Sequence, residues 1–222
     1  PNLKASNTHP KALVASVTQA LEPTTVAQAL NQPLWFQAMK DEYNALIRNN
    51  TWKLVPLPPG RLPIGCKWVF RTKYNSDGTI SKNKARLVAK GFHQVEGFDY
   101  EETFSPVVKP TTIRVVLTIA ISRQWPIHQL DVNNAFLNGE LTEEVYMNQP
   151  PGFVASDPQL VCKLTKALYG LKQAPRAWFA KLSSTLLRLG FLPVKCDSSL
   201  FVSHVSSGIT YVLVYVDDIL VT

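Results

Sequence analysis

The chain has 222 residues and a mass of 24.8 kDa, with 45% hydrophobic and 18% charged residues. That composition supports a buried core of one or two domains and excludes disordered, collagen-like and coiled-coil chains. No run of about 18 apolar residues occurs and Pro1 to Thr25 has no apolar signal region, so the expectation is a protein neither secreted nor membrane-spanning. Cys66, Cys162 and Cys196 are too far apart for metal-ligand spacing or a disulfide framework and read as three buried intracellular thiols.

In chain order, residues 1–32 lack sustained periodicity and read as a linker or tail. Pro33 to Asn50 carries Leu34, Trp35, Ala38, Met39, Leu46 and Ile47 at helical spacing behind a proline. Leu54 to Pro63, with four prolines and a glycine, reads as a loop. Cys66–Tyr74 and Ile80–Ala89 flank Asp77-Gly78 and predict a β-hairpin with a two-residue turn. Thr112–Arg123 is a helix with Ile113, Val116, Leu117 and Ala120 inward, and Ile127–Val132 is a strand. Val145–Met147 and Leu160–Leu164 are short strands. Pro175–Leu189 is a helix with Trp178, Leu182, Leu186 and Leu189 inward, stopped by Gly190. Tyr211–Val216 is apolar on both faces and predicts a central, buried strand. Strands and helices interleave without βαβ repeats, which makes the fold class α+β.

Charge is segregated along the chain. Lys plus Arg exceeds Asp plus Glu by 23 to 16, for a net +7. The window Arg61 to Lys90 holds eight bases against Asp77 alone and so nets +7 by itself. Asp131–Leu160 carries five acids and no base, and Val161–Lys195 carries seven bases and no acid. With Asp77 and Gly78 as the turn, Cys66, Trp68 and Phe70 face Ala89, Leu87 and Ala85 on an apolar side. The other side sets Lys73 opposite Lys82 and Arg71 opposite Lys84, with Arg86 beside Val69. Like charges directly opposed weaken a sheet, and an anion lying across that face accounts for the arrangement better than solvation alone.

The acids pose the complementary problem. Asp217-Asp218 interrupts an apolar segment, and two adjacent anions there resist desolvation unless a cation compensates. Asp131 repeats the pattern between Leu130 and Val132. Oxygen-only ligation suits a hard cation such as Mg²⁺, and two such ions about 4 Å apart activate an attacking oxygen and stabilise a leaving one.

Tyr215-Val216-Asp217-Asp218 resembles the YxDD box of reverse transcriptases, and Gln129-Leu-Asp131-Val-Asn-Asn-Ala-Phe-Leu137 resembles their first catalytic motif. Leu168-Tyr-Gly-Leu-Lys-Gln-Ala-Pro-Arg-Ala-Trp178, Lys84-Ala-Arg-Leu-Val-Ala-Lys-Gly91 and Thr103-Phe-Ser-Pro-Val107 are similar to motifs in the copia class of LTR retrotransposon Pol polyproteins. The resemblance runs from about Pro33 to the last residue, with its motifs in order.

That resemblance implies an RNA-directed DNA polymerase (a nucleotidyltransferase) serving retrotransposon cDNA synthesis. Its fold would be right-hand fingers plus a partial palm, an antiparallel sheet with packed helices and no thumb. Residues 33–106 and 139–173 would be fingers, 107–138 and 174–222 palm, cut short after the YVDD turn. Asp131, Asp217 and Asp218, with the Val132 backbone, would hold two Mg²⁺ (Mn²⁺ as the alternative) while a primer 3′-OH attacks the α-phosphate of a dNTP. Arg86, with Lys84 or Lys73, would meet the triphosphate, joined by backbone near Asn134 and Ala135 and by Gly170 and Lys172. Phe136 would exclude a ribose 2′-hydroxyl. Tyr169 stands where retroviral enzymes carry glutamine. Arg71, Lys82, Lys90 and Tyr215 would contact nucleic acid. Implied partners are an RNA or DNA template with primer, dNTPs, and the remaining Pol segments (thumb, RNase H, integrase), with no membrane. The implied location is cytoplasmic, in a virus-like particle. Ile219–Thr222 reads as too short for the second strand of the YxDD hairpin, so the expectation is an exposed edge and a fragment inactive alone. The competing reading is a non-catalytic nucleic-acid-binding remnant of a truncated element.

Overall fold

The structure, a computed structural model, describes residues 22–206 and 208–222. Its elements are α1 (Val26–Leu30), α2 (Pro33–Arg48), β1 (Trp52–Val55), β2 (Cys66–Tyr74), β3 (Ile80–Ala89), α3 (Pro110–Ser122), β4 (His128–Asp131), β5 (Tyr146–Met147), β6 (Val161–Leu164), α4 (Ala174–Arg188), β7 (Leu192–Val194), β8 (Asp197–Val205), β9 (Gly208–Tyr215) and β10 (Asp218–Val221). They form a two-stranded sheet β2-β3, a three-stranded sheet β1-β6-β5 and a five-stranded sheet β4-β10-β9-β8-β7. All the pairings between these strands are antiparallel, so the α+β expectation holds at that level.

One core joins α2, the apolar face of β2-β3 and the three-stranded sheet. Trp35, Met39 and Leu46 of α2 are buried with Trp68, Phe70 and Leu87, and the Trp35 and Phe70 rings meet edge to face at 5.5 Å. The five-stranded sheet is covered on both sides. Val212 and Val214 pack with Phe201 and Leu186 of α4, whereas Leu213 packs with Leu200 and Val116 of α3. Alternate residues of β9 thus enter opposite cores, which is why Tyr211–Val216 reads as apolar throughout. Full burial of each such side chain stabilises the fold by roughly 1.5–3 kcal/mol.

Five sequence expectations need correction. The tail reading of 1–32 lies outside the described residues as far as residue 21. Beyond that, Thr25 and Gln28 form a reciprocal capping box for α1, whose Ala29 is buried. The loop expected from Leu54 begins instead after Val55, because Lys53 and Leu54 pair with Lys163 and Cys162. Residues 191–206, given no element, supply two strands, β7 and β8. Two side chains expected inside are not: Leu189 is 67% exposed, and the Cys196 thiol, unlike the buried Cys66 and Cys162, is exposed. Last, the segment after the YVDD turn is not too short to pair. β10 is hydrogen-bonded to β9 on one side and β4 on the other, so β9 has strands on both sides and the expected apolar edge does not exist.

The β2-β3 register matches expectation from Cys66↔Ala89 to Lys73↔Lys82, but the tip differs. Ser76 and Asp77 are the central residues, with the Gly78 amide donating to the Asn75 carbonyl at 3.0 Å. Gly78 takes φ +84 just after them, the position where a three-residue loop needs a left-handed residue. An irregularity between Lys73 and Tyr74 then restores the expected pairing below it.

Candidate active site

The turn between β9 and β10 carries Val216 and Asp217 at its two central positions, with Tyr215 paired to Asp218. Val216 has φ +54, costly for a β-branched side chain at roughly 1–3 kcal/mol. Two bonds from outside hold it there. The Trp178 indole Nε1–H donates to the Val216 carbonyl at 2.7 Å, and the Val132 amide donates to the Asp217 carbonyl at 3.1 Å. On the next strand Asp131 lies directly opposite Asp218, which puts their Cα atoms about 4.5–5.5 Å apart. Gln129 Nε2 donates to Asp218 Oδ1 at 3.3 Å. The fold therefore gathers three acids from distant parts of the chain.

Beside them stands Tyr169. Its hydroxyl donates to Asp217 Oδ2 at 3.2 Å, its ring lies 4.2 Å under the Arg86 guanidinium carbon, and the Phe136 ring meets it edge to face at 4.5 Å. Burial pushes the Tyr169 phenol above its ordinary range; Arg86 opposes that rise and the charges of Asp217 and Asp131 add to it. Arg86 Nε is buried without a hydrogen-bond partner, and among the described residues Arg86 forms no salt bridge. Phe136 and Ala135 are buried in a short 3₁₀ turn that follows Asn134, whose φ of +53 suits an Asn side chain.

The hairpin's other face carries Lys67, Arg71, Lys73, Lys82, Lys84 and Arg86, with Lys73↔Lys82 and Arg71↔Lys84 in direct register. Arg71 is compensated: Glu22 accepts from its Nη1 at 3.0 Å and from the Thr72 amide at 2.7 Å. Lys84 is held below its usual range, first by burial and then by its cationic neighbours Arg86 and Lys82. Glu42 of α2 faces the same group and accepts from the Leu87 amide at 3.4 Å; burial raises its carboxyl, with Arg86 and Lys84 pulling the other way. A cleft of about 300 Å³ runs between α2, Lys82–Ala85 and Asn133-Asn134.

The remaining expected residues are less closely grouped. Gly170 has φ +92, and a Cβ there would stand 2.1 Å from the Ala89 carbonyl oxygen, so its role in the fold is close approach to β3. Lys172 Nζ donates to the Tyr100 hydroxyl at 3.0 Å and reaches the Gln94 carbonyl at 3.5 Å. The Lys90 amide donates to the Gly65 carbonyl at the end of β3. Tyr215 is 53% exposed. Trp178, read from sequence as an inward helix residue, and Glu42, not singled out at all, both touch the site. The only sequence signal for Trp178 was its place at the end of the Leu168–Trp178 motif.

An oxygen-only donor set of three acids suits Mg²⁺. The backbone register fits such a site, while among the described residues no group of three His, Cys, Asp or Glu side chains stands ready-formed around a metal. No helix among them is long and apolar enough to cross a membrane.

Comparison with known proteins gives the family. Residues 49–222 match the profile of "Reverse transcriptase (RNA-dependent DNA polymerase)". The chain is 58% identical over 212 residues to the Retrovirus-related Pol polyprotein from transposon RE1 of Arabidopsis thaliana, covering 95% of this chain and 14% of that protein. It is 59% identical over 203 residues to the RE2 polyprotein of the same plant, covering 90% of this chain and 14% of that one. Identity to the transposon TNT 1-94 polyprotein of Nicotiana tabacum is 43% over 221 residues, or 97% and 17% of the two lengths.

Proposed function

This chain belongs to the reverse transcriptase (RNA-dependent DNA polymerase) family of retrotransposon Pol polyproteins, and we propose that it carries the nucleotidyl-transfer centre of such a polymerase. The observation that carries this reading is the pairing of Asp131 with Asp218 across adjacent strands, with Asp217 in the turn between β9 and β10. Two acids in direct register weaken a sheet, and a bound divalent cation removes the penalty.

Asp131, Asp217 and Asp218, with the Val132 carbonyl, would hold two Mg²⁺ or Mn²⁺ ions. When bound, those ions supply activation of the primer 3′-OH and stabilisation of the leaving pyrophosphate. The protein's own groups do the positioning. The Arg86 guanidinium, without a salt bridge among the described residues, offers charged donors to a triphosphate, with Lys84 and Lys73 on the same face of the hairpin. Asn134 and Ala135 would offer backbone N–H groups to phosphate oxygens, and Gly170 and Lys172 belong to the same proposed set. Phe136, packed on Tyr169, would fill the space of a 2′-hydroxyl. Arg71, Lys82, Lys90 and Tyr215 are assigned to primer–template, with the contribution of Arg71 reduced by its pairing with Glu22.

In domain terms, residues 33–106 and 139–173 correspond to fingers and residues 107–138 and 174–222 to palm. The hairpin and the three-stranded sheet share one core and β9 enters two others, with Ala135–Leu137 and Ala174–Trp178 joining the hairpin core at the boundary. The chain spans about one seventh of the RE1 and RE2 polyproteins, so template, primer, dNTPs, thumb, RNase H, integrase and a cytoplasmic virus-like particle are proposed as partners and setting. The test is templated primer extension by the Pol product that contains this chain, with Mg²⁺ and dNTPs. Extension lost in Asp218→Asn, by about a thousandfold with template binding retained, is the expected result. Equal loss of binding and extension would make the acids a folding element and leave a nucleic-acid-binding remnant.

A further inference from the structure

We propose that Tyr169 is a positioning residue that holds Asp217 and Arg86 in one arrangement, its hydroxyl acting on the carboxylate and its ring on the guanidinium. The proposal rests on the reading of Asp217 as a metal ligand and Arg86 as the anion contact. Tyr169 is fixed to the same strand that carries Arg86, because the Ala89 amide donates to the Tyr169 carbonyl at 2.7 Å. Gly170 lies so close to Ala89 that no Cβ fits between them. Ring and guanidinium thus share one reference frame, and the 4.2 Å stacking distance follows from it.

The hydroxyl leaves that frame and reaches the turn, where Asp217 Oδ2 accepts it at 3.2 Å. The turn has its own anchors in Trp178 and Val132. Tyr169 therefore meets a fixed strand on one side and a fixed turn on the other. A single O–H can serve one carboxylate oxygen, so the other Asp217 oxygen keeps its lone pairs for a cation while the side chain is prevented from rotating. Partners of this kind orient metal ligands and typically change metal affinity about 10- to 100-fold when removed. On the other side, stacking fixes the plane of a guanidinium whose Nε has no partner among the described residues, directing its donors instead of leaving them to swing. Phe136 packs against the same ring and keeps it from turning away.

Two substitutions separate the two halves of this role in the full-length protein. Tyr169→Phe keeps the ring and removes the donor; Tyr169→Leu removes both. Mn²⁺ binding, followed by electron paramagnetic resonance, should weaken about tenfold in Tyr169→Phe, with the dNTP KM changed by less than about twofold. Tyr169→Leu should show the same Mn²⁺ loss and in addition a dNTP KM raised about 5- to 30-fold, and Tyr169→Met serves if the Leu variant does not fold. Unchanged Mn²⁺ affinity in Tyr169→Phe, with Asp217→Asn weakened, overturns the link to the carboxylate. A KM no higher in the Leu or Met variant than in the Phe variant overturns the link to Arg86. Unchanged Mn²⁺ affinity in Asp217→Asn overturns the metal-site reading itself, and this proposal with it.

Discussion

Two sheets in this chain set like charges directly opposite one another, one with cations and one with anions, and the surroundings of the two pairs differ. On β2-β3, Lys73 faces Lys82 and Arg71 faces Lys84 near an open hairpin end. Only Arg71 of these has a carboxylate partner among the described residues, and that partner comes from outside the hairpin. On the five-stranded sheet, Asp131 faces Asp218 across β4 and β10, both acids exposed beside β9, the strand buried on both faces. There the acids are framed by hydrogen bonds from Gln129, Tyr169, Trp178 and Val132 to the side chains and turn backbone. The cationic pairs can splay into water at little cost. The anionic pair sits beside a turn held by hydrogen bonds from Trp178, Val132 and Tyr169, so repulsion is balanced by structure and, in the proposed function, by divalent ions. A loose basic face suits a mobile polyanion, whereas a framed acidic pair suits chemistry that needs fixed distances.

Substitutions sharpen or break that contrast. The largest effect is expected where the basic sheet and the acid-bearing turn are joined, at Gly170. Ala there meets the Ala89 carbonyl at 2.1 Å with φ at +92 and should cost about 2–4 kcal/mol in urea unfolding; a loss under about 1 kcal/mol, the smallest overpacking penalty, would mean the Tyr169-Gly170 segment moves free of β3. Next, Lys82→Glu turns a repelling pair into an attracting one opposite Lys73 and should stabilise the fold by about 0.2–1 kcal/mol. The same change should flatten the salt dependence of nucleic-acid binding by about one unit of slope. Asp218→Asn should also stabilise, toward the lower end of that range, because Gln129 already offsets part of the repulsion; destabilisation would show that the carboxylate is supported more than it is opposed. The smallest effect belongs to Glu42. Burial raises its folded pKa above 4.5, so its contribution is full below the unfolded value and lost as pH rises through the folded one. Glu42→Gln should therefore gain stability relative to the parent only as pH climbs past that window, in unfolding midpoints measured from pH 4 to pH 7.

The sequence was most informative where pattern and burial coincide. Alternation in Cys66–Tyr74 and Ile80–Ala89 is enough to fix the hairpin register, since a slip of one residue would turn Trp68 and Leu87 to solvent. The tip was less legible, because Asp-Gly serves two turn types and an irregularity beside Tyr74 hides the difference. β8 escaped notice for another reason. Its buried positions include Asp197, Ser199 and Ser203 as well as Leu200 and Phe201, so the apolar alternation that marks a strand is broken by small polar groups. Asp197 earns its burial by accepting from the Lys109 and Ser199 amides, a tertiary requirement invisible in one segment. The three aspartates were legible as isolated acids in apolar runs. The partners Tyr169, Trp178 and Glu42 were not, since each touches the site through a contact that only the tertiary fold creates.

The strand that closes the acidic pair also has a consequence for biosynthesis. Gln129 and Asp218 are 89 residues apart along the chain, and β10 enters the sheet between β4 and β9. A ribosome making about 5–20 residues per second therefore exposes β4 for several seconds before its neighbour exists. Until then the segment from Leu130 to Asp131 has no strand partner, and its charge would act as a gatekeeper against premature strand association. The acid proposed as a metal ligand in the finished protein would thus protect the nascent chain first.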